Sequence, residues 1–313
     1  MIEGLSFELK HSIIHTFNHY NMAGLKEIRT RIASVKTTRQ VTSAMKMVSA
    51  AKLKKAQDAI LQIRPYAEKL YQILTSLSAS LENVEDSVYT QDRKPEKILV
   101  VLITSNRGLC GGFNTNISKK AVELVKTKYS NQHRLGKVDF ISLGKQGGRQ
   151  MNHRGMNVVE DIDEIYNSLT FENVSKTVQE IMNSFADGSY DRIELVYNQF
   201  KNAAVQILTT EQFLPVEMDD NEEENTNYDF IYEPSKENII KELIPRSLKI
   251  QFYKALLDSH AAEHGARMTA MHQATDNASD LIKELTLQYN KARQSTITGE
   301  ILEIVSGAEA LRG

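Results

Sequence analysis

The chain has 313 residues, a formal net charge of −2, 41% hydrophobic residues and one cysteine, Cys110. This hydrophobic content is enough for a folded core and excludes disorder of the whole chain, and the length allows roughly two domains. A lone cysteine excludes an internal disulfide and a cysteine-rich zinc site. The longest apolar run, Ile98–Ile103, is far shorter than the ~20 residues of a membrane-spanning helix.

Proline and glycine, the residues that interrupt helices, are unevenly distributed. None of the five prolines follows Pro245, and no glycine lies between Gly24 and Gly108 or between Gly188 and Gly265. This distribution predicts long helices at both ends of the chain and a compact, turn-rich centre.

Residues 1–21 form an extension of unknown role. They contain no arginine and no Ala-x-Ala cleavage site, so they match neither a secretory signal nor an organellar transit peptide. His11, His15 and His19 recur every four residues and would share one helix face. A metal site on that face is the less favoured interpretation.

The segment 23–81 is predicted to be one long helix, in which Pro65 causes a kink or a short break. Its apolar residues recur at three- and four-residue steps and predict a slim pairing seam with many small side chains. The predicted seam residues are Ile28, Ile32, Val35, Val41, Ala44, Met45, Val48 and Ala51. Residues 23–64 carry ten basic and two acidic side chains, and this net charge of +8 indicates an anionic partner or a solvated helix face.

Residues 96–214 alternate between apolar runs and helical segments, which predicts a central Rossmann-like α/β domain with a mainly parallel sheet. Strands are expected at 97–104, 138–143, 157–160, 192–199 and 203–212, and helices at 114–129, 171–186 and, as a short segment, up to His153. The first strand is apolar throughout, as expected for a strand covered on both faces.

An acidic segment, 215–233, precedes a second long helix, 235–311. Six acidic residues fall within 217–224 and predict a solvated loop, with Ser235 as the N-cap of the helix and Pro245 as a break or kink. About 65 uninterrupted residues correspond to a rod of roughly 100 Å, which no small domain can cover. We therefore expect the two helical ends to form an antiparallel α-helical coiled coil that also binds a partner. The expected seam residues of the second helix are Ala278, Leu281, Leu285, Gln288, Tyr289, Ala292, Ser295 and Thr296.

Three motifs could carry chemistry, and for each a structural role is the favoured interpretation. Gly108–Gly112 lies between a strand and a helix, where phosphate-binding loops occur, but it matches neither the dinucleotide-binding nor the P-loop motif. His260–His264 has the H-x-x-E-H pattern of some zinc proteases, without a recognisable third ligand. No catalytic partner can be assigned to Cys110. The sequence therefore predicts no catalytic site, no cofactor and no metal site.

Nucleic-acid binding by the basic 23–64 helix is an alternative function from a different class. Its ten basic side chains could neutralise a phosphate backbone. No aromatic residue lies within 23–64, so this helix offers no surface on which bases could stack.

Two terminal stretches and one central loop resemble the gamma subunit of F-type ATP synthases. The first stretch begins Met22-Ala-Gly-Leu-Lys-Glu-Ile-Arg and continues through Thr42–Lys52, and the second comprises Glu263–Asn277 and Tyr289–Ala308. The central loop is Ser105-Asn-Arg-Gly-Leu-Cys-Gly-Gly-Phe-Asn114. The resemblance covers essentially Met22–Leu311, so the extension 1–21 lies outside it.

The resemblance implies a non-catalytic central rotor shaft in a proton-translocating F-type ATP synthase. It implies that the paired helices fill the bore of a head of alpha and beta subunits, and that the middle domain lies on the c-subunit ring beside the epsilon subunit. It also implies head contacts at Met45, Arg267, Gln294, Thr298 and Glu300, with packing inside the coiled coil as the alternative for each. Without a transit peptide, we expect a bacterial subunit held peripherally at the cytoplasmic side of the cell membrane.

Overall fold

The structure is a computed structural model that describes residues 7–78, 88–216 and 236–312. Two long helices, α1 Phe7–Ser78 and α6 Lys236–Ala310, flank a central set of short elements in the sequence. In chain order these are β1 Ile98–Ile103, α2 Phe113–Thr127, α3 Ser130–Arg134, β2 Val138–Leu143, α4 Lys145–Asn152, β3 Val158–Ile162, a 3-10 turn Glu164–Tyr166, α5 Phe171–Ala186, β4 Arg192–Phe200 and β5 Gln206–Leu214.

Some features named from the sequence fall outside this description. The acidic residues 217–224 and the expected N-cap Ser235 lie outside the described residues, as do the side chains of His11, His15 and His19. The backbone of the extension is helical from Phe7 onward, because α1 begins there rather than at residue 23.

The chain divides into two compact units, and both long helices contribute to each. We call residues 1–46 and 271–313 the helical unit, and residues 47–270 the α/β unit.

In the helical unit, α1 and α6 pair in an antiparallel sense. Thr42 Oγ1 lies 2.8 Å from Thr275 Oγ1, and Arg29 Nη2 donates to the Tyr289 hydroxyl at 2.6 Å. Moving toward the amino end of α1 therefore means moving toward the carboxyl end of α6. This confirms the antiparallel coiled coil expected from the sequence.

The seam of this coiled coil departs from the predicted one at several residues. Val41 and Leu281 were expected inside, but Val41 is 53% exposed and Leu281 is 39% exposed. Thr42, which was not predicted, is buried in place of its neighbour Val41, while the predicted seam residues Ala278, Leu285 and Thr296 are buried as expected. Burial follows the 3.5-residue period of a coiled coil, so a threonine in register is buried while an adjacent valine out of register faces solvent.

The α/β unit contains a five-stranded sheet in the order β3-β2-β1-β4-β5. Strands β1 to β4 are mutually parallel, and β5 pairs antiparallel to β4. This confirms the mainly parallel sheet. The strand β5 begins at Gln206, three residues later than predicted, because Asn202 Oδ1 accepts hydrogen bonds from the Ala204 and Val205 amides and extends the hairpin turn.

The hydrophobic core of this unit lies on both faces of β1. Leu99, Val101 and Ile103 face a layer formed by α5 and by α6 residues such as Phe252. The alternate residues of β1 face α2 and α4. The strand is therefore buried along its whole length, as its apolar sequence predicts.

The two internal prolines do not end their helices. Helix α1 continues through Pro65 and α6 through Pro245, so the expected breaks are wrong, while a kink at either proline stays a prediction. Buried apolar residues flank both prolines: Ile60 and Leu70 in α1, and Ile244 and Leu248 in α6. Packing on both sides holds each helix together, although proline removes a backbone hydrogen bond.

Candidate functional site

The residues that the resemblance assigns to partner contact do not form one cluster. Met45 is half-buried in α1, whereas Gln294, Thr298 and Glu300 are exposed near the end of α6, where Thr298 Oγ1 donates to the Gln294 carbonyl at 2.9 Å. The register set by Thr42 and Thr275 places Met45 roughly 30 Å from Gln294 along the helix pair. The helical unit thus carries two separate candidate contact levels.

The end of α6 presents an apolar surface. Ile297, Ile301, Leu302, Ile304 and Val305 are between 45% and 71% exposed. Five large aliphatic side chains within nine residues of one helix form a patch of the kind that marks an interaction site on a soluble protein.

Arg267, the fifth assigned residue, is buried in the α/β unit. Only 7% of it is exposed, and its Nη1 atom lies 2.6 Å from Glu263 Oε1. Its Nη2 atom donates to the Arg107 carbonyl at 3.0 Å, and both Nε and Nη2 lie 3.4 Å from the Gly108 carbonyl oxygen. In this conformation the guanidinium binds the loop that follows β1.

The histidines of the H-x-x-E-H motif form a hydrogen-bonded chain with Arg267. Arg267 Nη1 lies 3.3 Å from His264 Nδ1, and the two Nε2 atoms of His264 and His260 lie 3.1 Å apart. Arginine can only donate, so His264 Nδ1 accepts. A neutral His264 then carries its proton on Nε2 and donates to His260 Nε2, which leaves the His260 proton on Nδ1.

Both hydrogen-bonded histidines, His260 and His264, are neutral at pH 7. Burial, the nearby Lys52 and Arg267 lower the pKa of His260 to about 4, while burial, His260 and Arg267 lower the pKa of His264 to about 3. Tyr166 stacks on His260 with ring centroids 6.1 Å apart. No group of three metal-ligating side chains occurs in the described part of the chain. The motif therefore serves packing and loop attachment here.

The loop 105–112 between β1 and α2 is a structural turn held by Asn114. Asn114 Oδ1 accepts from the Ser105 amide at 2.9 Å, and Asn114 Nδ2 donates to Ser105 Oγ at 2.8 Å. Cys110 is buried beside them, and burial raises the pKa of its thiol. Leu109 has φ +62 and is 64% exposed, a left-handed conformation that costs a leucine about 1–2 kcal/mol.

The position where many α/β folds bind phosphate is already occupied by side chains. At the amino end of α4, two of the free amides donate to hydroxyls: Gly147 N donates to Thr104 Oγ1 at 3.0 Å and Gly148 N donates to Ser142 Oγ at 2.9 Å. A Cβ atom at Gly147 would lie only 2.4 Å from Ser142 Oγ. These two amides therefore already have acceptors within the chain and are not free to bind a phosphate.

Within the described residues, no helix is both long enough and apolar enough to cross a membrane.

Known proteins similar to this chain identify its family. The sequence model described as ATP synthase matches residues 24–311. The ATP synthase gamma chain of Cytophaga hutchinsonii is 53% identical over 293 residues, which are 93% of this chain and 99% of that protein. The gamma chain of Flavobacterium psychrophilum is 55% identical over 292 residues, covering 93% of this chain and all of that protein. The chain belongs to the ATP synthase gamma chain family.

Solved structures of the family share the fold. The rotor of the Euglena gracilis mitochondrial ATP synthase contains a chain that is 22% identical, with a TM-score of 0.64, over 88% of this chain and 99% of that one. A second Euglena structure, of the same enzyme's F1 and c-ring, gives a TM-score of 0.66 at 22% identity over 92% of this chain and 95% of that one. The nucleic-acid alternative receives no support from any of these relatives.

The family resemblance points to Arg267 as a contact residue but does not indicate what Arg267 binds in this chain. The signal was present in the sequence, because Glu263 and Arg267 are four residues apart and so lie on one helix face. The partner carbonyls of Arg107 and Gly108 carry no sequence signal, since every residue has a carbonyl group.

Proposed function

We propose that this chain is the central rotor shaft of a proton-translocating ATP synthase, coupling proton flow through the membrane sector to ATP synthesis or hydrolysis in an alpha/beta head. Family membership supports this function. In this proposal residues 23–81 and 235–311 supply the shaft, 96–214 the foot, and 215–233 a surface loop, while the role of 1–21 is open.

The main support for this proposal is the antiparallel pair of α1 and α6, together with the exposed apolar residues at the carboxyl end of α6. The patch around Ile301 and Leu302 is unusual for a helix surface that stays in water. It fits a helix end enclosed by other subunits. The exposed basic residues of α1, among them Lys26, Arg31, Lys36 and Arg39, suit acidic segments of the surrounding head.

The coupling mechanism follows from asymmetry of the shaft. Two helices have no threefold symmetry, so each beta subunit around them meets a different surface. A surface that favours one beta conformation over another changes nucleotide affinity in proportion to that preference, and a coupling free energy of about 1–3 kcal/mol corresponds to roughly 5–150-fold in affinity. Rotation of the shaft passes this preference from site to site.

We propose that the shaft contacts the head through Met45 at one level and through Gln294, Thr298 and Glu300 at another. Their half-buried or exposed positions in the helical unit support this assignment. Arg267, buried and bound to a loop, acts inside the α/β unit. The chain itself performs no catalysis in this proposal, and ATP chemistry takes place in the head.

The remaining partners are the epsilon subunit and the ring of c subunits, on which the α/β unit would rest. The chain would then be held at the cytoplasmic side of a bacterial cell membrane as a peripheral subunit of the complex. No cofactor is required, because the proposed role is mechanical.

Co-expression with alpha and beta subunits tests the function. An affinity tag on the beta subunit should retain this chain in a stable complex that hydrolyses ATP, and inverted membrane vesicles containing the whole enzyme should acidify when ATP is added. A chain that does not copurify with the head, under conditions where alpha and beta associate with each other, would contradict the proposal.

A further inference from the structure

Helix α6 holds the carboxyl edge of the sheet through bonds from its polar side chains to backbone carbonyls. Ser259 Oγ donates to the Ile103 carbonyl at 3.1 Å, at the end of β1. Thr269 Oγ1 donates to the Ala203 carbonyl at 3.2 Å, in the turn after β4. Arg267 donates to the carbonyls of Arg107 and Gly108. Within the α/β unit, one helix is thus attached to two of the loops at this edge.

The Arg267 attachment is made to a loop in an unfavourable backbone conformation. Leu109, the residue after Gly108, has a positive φ that leucine rarely adopts, and its side chain points largely into solvent. Packing of Leu109 itself therefore contributes little to holding the loop. The Arg267 guanidinium binds the carbonyls of Arg107 and Gly108, which precede Leu109, and so restrains the loop from its buried side.

The orientation of Arg267 is itself fixed by two neighbours. Glu263 binds Nη1 at 2.6 Å from the preceding helical turn, and His264 Nδ1 accepts from the same atom at 3.3 Å. A buried arginine held on one edge by a carboxylate and a neutral imidazole presents its other donors in a fixed direction.

We propose that Arg267 is a positioning residue for torque transmission, which locks the loop 107–109 to the C-terminal helix so that α6 and the sheet turn together. This inference rests on the proposed rotor function. It assigns Arg267 a task inside the chain, with Glu263 and His264 orienting its guanidinium.

A simpler alternative is that Arg267 only neutralises the buried carboxylate of Glu263. The two roles differ in their response to removing both charges. If Arg267 were only a counterion, replacing both residues by alanine would leave no buried charge and the loop would stay ordered. If Arg267 positions the loop, the double variant would still lose the loop attachment.

The experiment compares Arg267→Ala, Arg267→Lys and the double variant Glu263→Ala/Arg267→Ala in the complete ATP synthase. Hydrogen exchange of the Ser105 and Phe113 amides, which donate to Asn114 Oδ1 and the Cys110 carbonyl, reports the loop, and protons pumped per ATP hydrolysed in inverted vesicles report coupling. Thr269→Val is the matched control, since Thr269 holds the other loop, at Ala203. It should leave exchange of the Ser105 and Phe113 amides unchanged.

In all three Arg267 variants we expect exchange of the Ser105 and Phe113 amides to rise about tenfold and pumping per ATP to fall about twofold, with the hydrolysis rate within twofold of the wild type. The lysine variant belongs in this group because one ammonium cannot replace the guanidinium fork. If Arg267→Ala alone fails to assemble because Glu263 is left unpaired, the double and lysine variants give the same comparison.

Wild-type exchange and coupling in the double variant would overturn the inference and leave the counterion role. The outcome is separable from the proposed function: a wild-type chain that assembles and pumps protons establishes the rotor role, whatever the Arg267 variants do.

Discussion

Met45 and Arg267 show how differently single residues of the family motifs are placed. Both were assigned to partner contact from the resemblance, yet Met45 lies half-buried in the helical unit while Arg267 is buried in the α/β unit. Long basic side chains reach several ångströms, so their binding partner depends on which neighbour approaches. The motif alone could not separate an intramolecular bond from a partner contact.

Met45→Lys tests the head contact at this scale. An added ammonium beside an acidic partner segment would favour one beta conformation too strongly, so we expect ATP yield per proton to fall about twofold with assembly intact. ATP synthesis and proton uptake in vesicles measure this ratio. Met47→Lys introduces the same charge on a different, exposed face of α1 and should change the ratio less. Equal effects of the two variants would remove the assignment of Met45.

The neutral histidine pair predicts a pH dependence of stability. His260 and His264 have folded pKa values of about 4 and about 3, below the ordinary value of 6.5, so the unfolded chain binds more protons below pH 6.5. Stability is therefore lost as the pH falls from 6.5 toward 4, by an amount on the order of 3 kcal/mol for each histidine. Asp258 partly offsets this loss, because burial raises its pKa to about 6.

Thermal unfolding of the full chain at pH 7.0, 5.5 and 4.5 measures this dependence. The variant His260→Asn/His264→Asn lacks the two groups and should show a shallower fall in melting temperature. Parallel pH profiles for the variant and the wild type would mean that the histidines titrate normally in the folded chain.

At the scale of elements, the coiled-coil seam is the feature for which periodicity and burial disagree. The three- and four-residue steps identified the correct helices and nearly the correct face. These steps do not distinguish Val41 from Thr42, because apolar character favours burial of Val41 whereas the 3.5-residue register favours burial of Thr42. Which of the two residues faces inward depends on where α6 lies against α1, and this position is a property of the tertiary structure.

Two leucines one turn apart on α6 test the observed seam. Leu285 is 3% exposed and Leu281 is 39% exposed. Leu285→Ala should lower the free energy of unfolding by about 2–4 kcal/mol because it leaves a cavity, and Leu281→Ala by less than about 1 kcal/mol. Chemical unfolding followed by circular dichroism compares them. A larger loss for Leu281→Ala than for Leu285→Ala would contradict the burial that distinguishes the two leucines.

At the scale of the whole molecule, the C-terminal end of the chain exposes apolar residues, among them the 91% exposed Leu311, and in the proposed function it supplies packing against the head. Removing residues 308–313 should therefore weaken retention of the chain by the head while complexes that do form keep ATP hydrolysis. Quantitative copurification and hydrolysis per assembled complex separate the two effects. Replacing only the exposed Arg312 by alanine should leave retention unchanged. Loss of hydrolysis in fully assembled complexes would contradict a purely mechanical role for this end.

Local signals in the sequence are enough to predict the two long helices, the mainly parallel sheet and the family: few helix breakers, apolar runs with strand length, and long motifs. Three features follow only from packing in the folded chain: α1 and α6 continue through their prolines, Thr42 rather than Val41 enters the seam, and Arg267 binds backbone carbonyls. Each of these depends on a neighbour distant in sequence, whose packing or carbonyl groups outweigh local preference and leave no residue-type pattern of their own.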